Sequence, residues 1–257
     1  MCKDCGCTIA GAKSGHHHDH DHGHDHHHKH DHLHQNPQLN DKKTIAVITK
    51  ILDENDKEAA GNREHFNKAG VLAVNLMSSP GSGKTSLLEK TIENGGLKIA
   101  VIEGDLETNK DAERIIAKGA AAYQITTGTA CHLDAHMVHH ALHELPINDM
   151  DIVFIENVGN LVCPASYDLG AHLNVVLLSI PEGADKIQKY PVMFRAADLI
   201  VFTKCDLTPY FDFDVKSAKE DARKLNPKAD ILELSTKDEE SIQKWVNYLK
   251  FKKELRS

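Results

Sequence analysis

The sequence predicts an α/β fold, a mostly parallel sheet with helices on both faces. Three observations predict it: apolar runs of strand length recur along the chain, helix-like stretches separate them, and the junction from Val71 to Thr85 reads VLAVNLMSSPGSGKT. There an apolar run, Val71 to Met77, enters a glycine-containing turn ending in Gly83-Lys84-Thr85, and SLLEKTIENG follows with helical character. In that context small residues let backbone N–H groups curl around a phosphate, a lysine reaches the outer phosphates and a threonine hydroxyl holds Mg²⁺. Gly81, Gly83, Lys84 and Thr85 supply these parts. Ser78 stands where the pattern G-x-x-x-x-G-K-[ST] has glycine, and serine tolerates positive φ less readily, so the turn is expected to differ slightly there.

Bulk properties bound the function. A chain of 257 residues has room for one α/β domain of ordinary size plus appended segments, and 40% hydrophobic with 26% charged residues is a soluble globular composition. The formal charge of −8 argues against a general nucleic-acid or anionic-membrane binder. No apolar run approaches the roughly 20 residues of a membrane span. The start, MCKDCGCTIAG, lacks the basic-then-apolar order of a signal peptide, so a cytoplasmic location is expected. Six cysteines in such a chain point to metal ligation or inert thiols before disulfides.

Four segments are expected in order: residues 1–15, Cys-rich; 16–40, His-rich; 41–70, a helical lead-in; and 71–257, the nucleotide domain. Cys2, Cys5 and Cys7 form C-x-x-C-G-C, whose thiolates can close on one borderline cation such as Ni²⁺ or Zn²⁺. The alternative, a redox dithiol, normally opens a helix after a strand, and neither is present. From His16 to His34 lie twelve of the nineteen histidines, interleaved with Asp19, Asp21, Asp25 and Asp31. Dense imidazoles bind Ni²⁺, Zn²⁺ or Cu²⁺ with little geometric selectivity, so this arm is expected to be a disordered metal-binding segment. Ile45, Ile48, Ile51 and Leu52 fall at helical spacing, which predicts one helix ending near Asn55, a shorter one from Asn62 to Lys68, and packing of the first onto the domain that follows.

Beyond the phosphate loop, Lys98 to Glu103 reads as a buried strand ending at Gly104-Asp105. A carboxylate at that strand end is placed to complete a Mg²⁺ shell, with Glu103 and Glu107 as competitors to Asp105. TNKDAERIIAKG reads as a helix stopped by Gly119, and AAYQITT as a strand. Thr129-Ala130-Cys131-His132 is expected to open a helix running to about Leu145, its entry aiming Cys131 and His132 at one cation and His136 one turn further on. His139, His140 and His143 read as solvated helix-face residues. Asp151 to Asn157 is the next strand, leading to Gly159, where a backbone N–H can approach a γ-phosphate, and soon to Cys163. His172 to Ile180 and Asp198 to Phe202 are strands, the latter ending in Thr203-Lys204-Cys205-Asp206. An Asp there can accept two hydrogen bonds from guanine, and adenine offers no donors in that place, so Asp206 argues for GTP. Ile231 to Leu234 is a strand leading to Ser235-Thr236-Lys237, and Glu239 to Lys252 a closing helix with Trp245 and Leu249 inward.

These residues resemble the hydrogenase nickel-incorporation GTPases, the HypB family. The match rests on Cys2-x-x-Cys5-Gly6-Cys7, Ser78 to Thr85, Glu103-Gly104-Asp105, Thr127-Gly128-x-x-Cys131-His132-Leu133-Asp134-Ala135, Glu156 to Pro164 and Thr203-Lys204-x-Asp206. Urease-maturation GTPases place Cys-Pro-His where this chain has Cys131-His132, and the two-lysine ATPases carry a second lysine at the position of Ser79. The resemblance implies a P-loop NTPase of the SIMIBI type and a metallochaperone that hydrolyses GTP, dimerises when GTP is bound, and passes Ni²⁺ to the large subunit of a [NiFe] hydrogenase with a HypA-type partner. It implies nucleotide contacts from Gly81, Ser82, Gly83, Lys84, Thr85 and Ser86, base contacts from Thr203, Lys204, Asp206, Ser235 and Thr236, and catalysis by Lys84, Thr85, Asp105, Glu156 and Gly159. Mg²⁺ would sit on Thr85 and Asp105. Cys2, Cys5 and Cys7 would be the tight nickel site, with a second Ni²⁺/Zn²⁺ site at Cys131, His132 and Cys163. Two other classes remain open: a metal-storage protein with a vestigial nucleotide domain, and a small-molecule kinase, which should prefer ATP.

Overall fold

The computed structural model describes residues 42–105 and 109–256. The Cys2, Cys5 and Cys7 cluster, the His-rich stretch and Glu107 lie outside the described residues. The chain divides into two units, residues 1–51 and 52–257. The described part of the first is helical, the opening turns of α1 (Lys42–Ala69), and its Ile45, Val47 and Ile51 are exposed.

In the second unit, seven strands and seven further helices follow α1: β1 (Leu72–Ser78), α2 (Lys84–Gly95), β2 (Ile99–Asp105), α3 (Lys110–Ala117), β3 (Ala121–Thr126), α4 (Ala135–Glu144), β4 (Ile152–Glu156), β5 (Leu173–Ser179), α5 (Lys186–Lys189), α6 (Pro191–Arg195), β6 (Leu199–Thr203), α7 (Val215–Leu225), β7 (Asp230–Glu233) and α8 (Glu239–Glu254). All neighbouring strands are parallel, in the order β3-β2-β4-β1-β5-β6-β7. Central strands buried on both faces are apolar over most of their length, which is why these runs stood out in the sequence. Along β1, Leu72, Val74 and Leu76 join a core with Leu87 and Leu88 of α2 and Trp245, Val246 and Leu249 of α8. Ala73 packs on the opposite face with Phe66 of α1 and Val138, Ala141 and Leu142 of α4, while Met77 on that same face joins residues of α5 to α7. Strand order reverses on either side of β1, so the crevice at the carboxyl ends of β1, β2 and β4 is where this architecture places a ligand.

α1 corrects the expectation of two helices. It is a single helix of 28 residues, and the stripe that it buries from residue 52 onward is Asn55, Ala59, Asn62 and Phe66, not the isoleucines before it. The polar run that read as a break is held by tertiary hydrogen bonds. Asn55 Nδ2 donates to the Asp168 carbonyl (2.9 Å) and its Oδ1 accepts from Ala135 N (2.9 Å), while Asn62 Nδ2 donates to the carbonyls of Ala135 (2.8 Å) and Leu169 (3.3 Å). Asn62 is fully buried. Asn62→Ala leaves those carbonyls unsatisfied, so a loss of about 2 kcal/mol is expected, seen as a melting temperature lower by roughly 4–8 °C. An unchanged melting curve would contradict this bracing role.

A second correction concerns α4, which starts at Ala135. Asp134 caps it, its side chain accepting from Met137 N at 2.8 Å. Cys131 and His132 therefore lie in the loop before the helix, not in its first turn. α7 was not read from the sequence at all; it is capped by Asp214 and buries only Ala218 and Ala222, a signal too small to see in an apolar pattern.

Candidate nucleotide and metal site

The phosphate loop joins β1 to α2. Gly81 and Gly83 have φ of 77° and 97°, backbone that glycine adopts without a Cβ penalty. Ser78 does not have positive φ, since Lys204 is the one non-glycine residue in that region among the described residues. Serine at that position thus brings no strain, and its hydroxyl accepts from Lys84 Nζ at 3.2 Å. A cavity of about 460 Å³ opens over the loop, lined by Gly81, Gly83, Lys84, Thr85 and Ser86 on one side and by Glu103, Asp105, Glu156 and Gly159 on the other.

Two carboxyls are buried in this cavity. Glu156 Oε1 accepts from Thr85 Oγ1 at 2.9 Å and lies 3.9 Å from Lys84 Nζ. Oε2 of Glu156 and Oε2 of Glu103 are both buried without a hydrogen-bond partner. Burial, then the neighbouring Glu156, drives Glu103 far above the ordinary carboxylate range, and burial raises Glu156 as well. Two unpaired carboxylate oxygens beside a threonine hydroxyl are the hard donors that Mg²⁺ takes, so the residues present fit that ion. Glu156 and Glu103 would hold that ion as readily as Asp105, which lines the cavity at the end of β2.

At the other end of the loop, Thr203 Oγ1 donates to the Ser82 carbonyl at 2.7 Å and Lys204 Nζ to the Gly81 carbonyl at 2.7 Å. Thr203 thus ties the base-side loop to the phosphate loop. Asp206 is fixed on both oxygens, by Ser235 Oγ (2.7 Å) and Lys237 Nζ (2.9 Å), which hold its carboxyl below the usual range. It is an ionised acceptor in a set orientation. Cys205, raised by burial, points its thiol at the Phe202 carbonyl at 3.2 Å.

Cys131, His132 and Cys163 come together, with ligand atoms all within 4.8 Å of one another, and Cys131 Sγ lies 2.9 Å from Cys163 Sγ. Neither cysteine is in a disulfide. His132 stacks on Tyr167 with centroids 3.9 Å apart, and burial lowers its pKa, favouring the neutral imidazole that binds metal. Two thiolates and an imidazole suit Zn²⁺ or Ni²⁺ and leave one tetrahedral position open. His136 does not join this group; its ring meets Glu58 and His140 instead.

Short contacts connect the two centres. Leu133 N, the residue after His132, donates to Asn157 Oδ1 at 3.1 Å, and the same oxygen accepts from Val158 N at 3.0 Å. The Leu133 side chain fills the space where a Cβ on Gly104 would lie, at 2.8 Å, and Thr127 N donates to the Asp105 carbonyl at 2.9 Å. Gly159 lies against the phosphate loop: a Cβ there would stand 3.0 Å from Pro80. Sequence reasoning missed Asp111 and Arg114 at the cavity wall, and Glu182, which accepts from Ser82 Oγ at 2.8 Å. Its capping-box position after Ser179 was the available signal.

Fold and site together define a P-loop nucleotide-binding protein with a cluster of two thiols and an imidazole, spaced as metal ligands are, beside its phosphate cavity. The family model for the CobW/HypB/UreG nucleotide-binding domain matches residues 72–233, and the chain is 52% identical over 222 residues to a hydrogenase/urease maturation factor HypB from Helicobacter hepaticus, spanning 85% of this chain and 91% of that protein. The chain belongs to the HypB family. Among solved structures it is similar to HypB from Helicobacter pylori in complex with nickel (TM-score 0.77, 49% identity, 78% of this chain and 95% of that one). It is likewise similar to the hydrogenase maturation factor HypB from Archaeoglobus fulgidus (TM-score 0.74, 43% identity, 79% and 100%).

Proposed function

We propose that this protein is a GTP-hydrolysing nickel metallochaperone that delivers Ni²⁺ to the large subunit of a [NiFe] hydrogenase, with a HypA-type partner and as a homodimer when GTP is bound. The observation that carries this reading is the Leu133–Asn157 hydrogen bond, which joins the Cys131-His132 loop to the residue that follows β4 on the phosphate side. Lys84 and the backbone of Gly81 to Thr85 would hold the β- and γ-phosphates. Asp206, held by Ser235 and Lys237, would accept from the guanine edge, with Thr203, Lys204 and Thr236 shaping its surroundings. Mg²⁺, held by Thr85 with Glu156, Glu103 or Asp105, neutralises phosphate charge when bound. Gly159 would bring its N–H to the γ-phosphate, and the shift of its loop would carry Cys163 relative to Cys131 and His132. Loss of the γ-phosphate would then loosen the cluster and release the nickel.

Arg114, the arginine of the cavity lining among the described residues, is engaged by Glu89 and Asp111 and is not poised as an arginine finger, and turnover is expected to be slow, roughly 10⁻⁴ to 10⁻² s⁻¹. The Helicobacter relatives are hydrogenase/urease maturation factors, which makes urease a second acceptor to test. The test is nucleotide preference with Asp206→Ala as the control. GTP affinity is expected to fall by about 10²-fold and the preference over ATP to vanish, because the base donors lose their acceptor. Equal ATP and GTP binding by the native chain would overturn the GTPase reading and favour a kinase.

A further inference from the structure

We propose that the exposed face of α4 is itself a metal-binding surface, on which His136 with His140 and His139 with His143 each hold one borderline divalent cation such as Ni²⁺, Zn²⁺ or Cu²⁺. Each pair is spaced i, i+4, one helical turn apart on the same face. All four rings are exposed, yet each pair converges: Nε2 of His136 lies 3.1 Å from Nε2 of His140, and Nε2 of His139 lies 3.3 Å from Nε2 of His143. Metal–imidazole bonds of about 2.0–2.1 Å require the two nitrogens to stand about 2.9 Å apart at a right-angled bite and about 3.3 Å apart at a tetrahedral one. Both pairs fall within that interval.

In each pair the outward nitrogen of one ring, that of His136 and of His139, has the kind of partner that ligand histidines have. His136 Nδ1 faces the Glu58 carboxylate at 3.1 Å, an acceptor only, which puts the ring proton on Nδ1 and leaves a lone pair on Nε2. His139 Nδ1 faces Asn62 Oδ1 at 3.2 Å, and because the Asn62 amide nitrogen is spent on the Ala135 and Leu169 carbonyls, that oxygen also accepts. Carboxylate or amide oxygens behind the ring set its tautomer and raise its basicity toward a metal. A histidine that merely meets solvent needs no such backing. His65 adds a third imidazole beside the second pair, its ring centroid 5.8 Å from that of His143. Two imidazoles leave the rest of each shell to water, so these sites bind more weakly and exchange faster than the thiolate cluster. The first of them begins at His136, four residues past His132 in the chain. The proposal does not depend on the nucleotide site.

The experiment is a titration of the full-length chain with Zn²⁺ alone, followed by imidazole ¹⁵N NMR, which reports coordination ring by ring and so separates these four histidines from the twelve near the N-terminus. After the tighter sites fill, Nε2 of His136 and His140 should move together, as should those of His139 and His143. His140→Gln should abolish the response of His136 and spare that of His139. Because these side chains are exposed, the melting curve of the variant is expected to match the native one. Unmoved Nε2 resonances at saturating Zn²⁺, or a His136 response that survives His140→Gln, would overturn the proposal.

Discussion

Lys84→Ala is expected to lower GTP affinity and turnover together by about 10² to 10⁴-fold, the effect of deleting a buried cation that clamps phosphate. Two consequences combine in that one change. Lys84 is only 8% exposed, so whatever it does for a phosphate is done with little competition from water. It also stands 3.9 Å from Glu156, and without it the two buried carboxyls face the incoming phosphates with no fixed positive charge between them. Isothermal titration with GTP and a phosphate-release assay read both quantities. Nickel binding at Cys131 and Cys163 should persist in this variant, while delivery to a hydrogenase should stop. Delivery that continues would support a storage protein whose nucleotide domain is idle.

The double change Cys131→Ser, Cys163→Ser is expected to remove Ni²⁺ and Zn²⁺ binding at the cluster, by at least about 10²-fold, because it takes away both thiolates and leaves one imidazole. GTP affinity should stay within about threefold, since neither side chain lines the phosphate cavity. Metal affinity and nucleotide affinity therefore separate in the two variants, each losing one and keeping the other. A cluster that still binds tightly without its sulfurs would show that nickel is held elsewhere.

The seven strands of the described residues were legible in the sequence: β1, β2, β4, β5 and β6 because a strand buried on both faces cannot hide among polar residues, and the edge strands β3 and β7 as short runs set between helical stretches. The phosphate loop was legible because curling backbone around phosphate demands Gly81 and Gly83 at fixed spacing. What the sequence concealed was tertiary. Asn55 and Asn62 read as a helix break, and only the carbonyls of Asp168, Ala135 and Leu169 explain why a helix runs through them. Asp134 carried a cap signal that was overlooked, so Cys131 and His132 were placed one turn too deep. The pairing of Glu103 with Glu156 depends on β2 lying beside β4, a neighbourhood set by strand order and not by spacing along the chain. His139, His140 and His143 read as solvated, and His136 as a partner of Cys131 and His132; the convergence of the four rings in pairs needed coordinates.

The central claim is that the γ-phosphate sets nickel affinity at Cys131, His132 and Cys163. It is tested most directly by titrating Ni²⁺ into the full-length chain with Cys2, Cys5 and Cys7 changed to serine, so that thiolate–nickel absorbance reports Cys131 and Cys163. The titration is run once with GDP and once with a non-hydrolysable GTP analogue. Contacts as short as Leu133–Asn157 and Gly159–Pro80 predict affinities that differ by about 5- to 150-fold between the two nucleotides. Affinities that agree within about twofold would contradict the account.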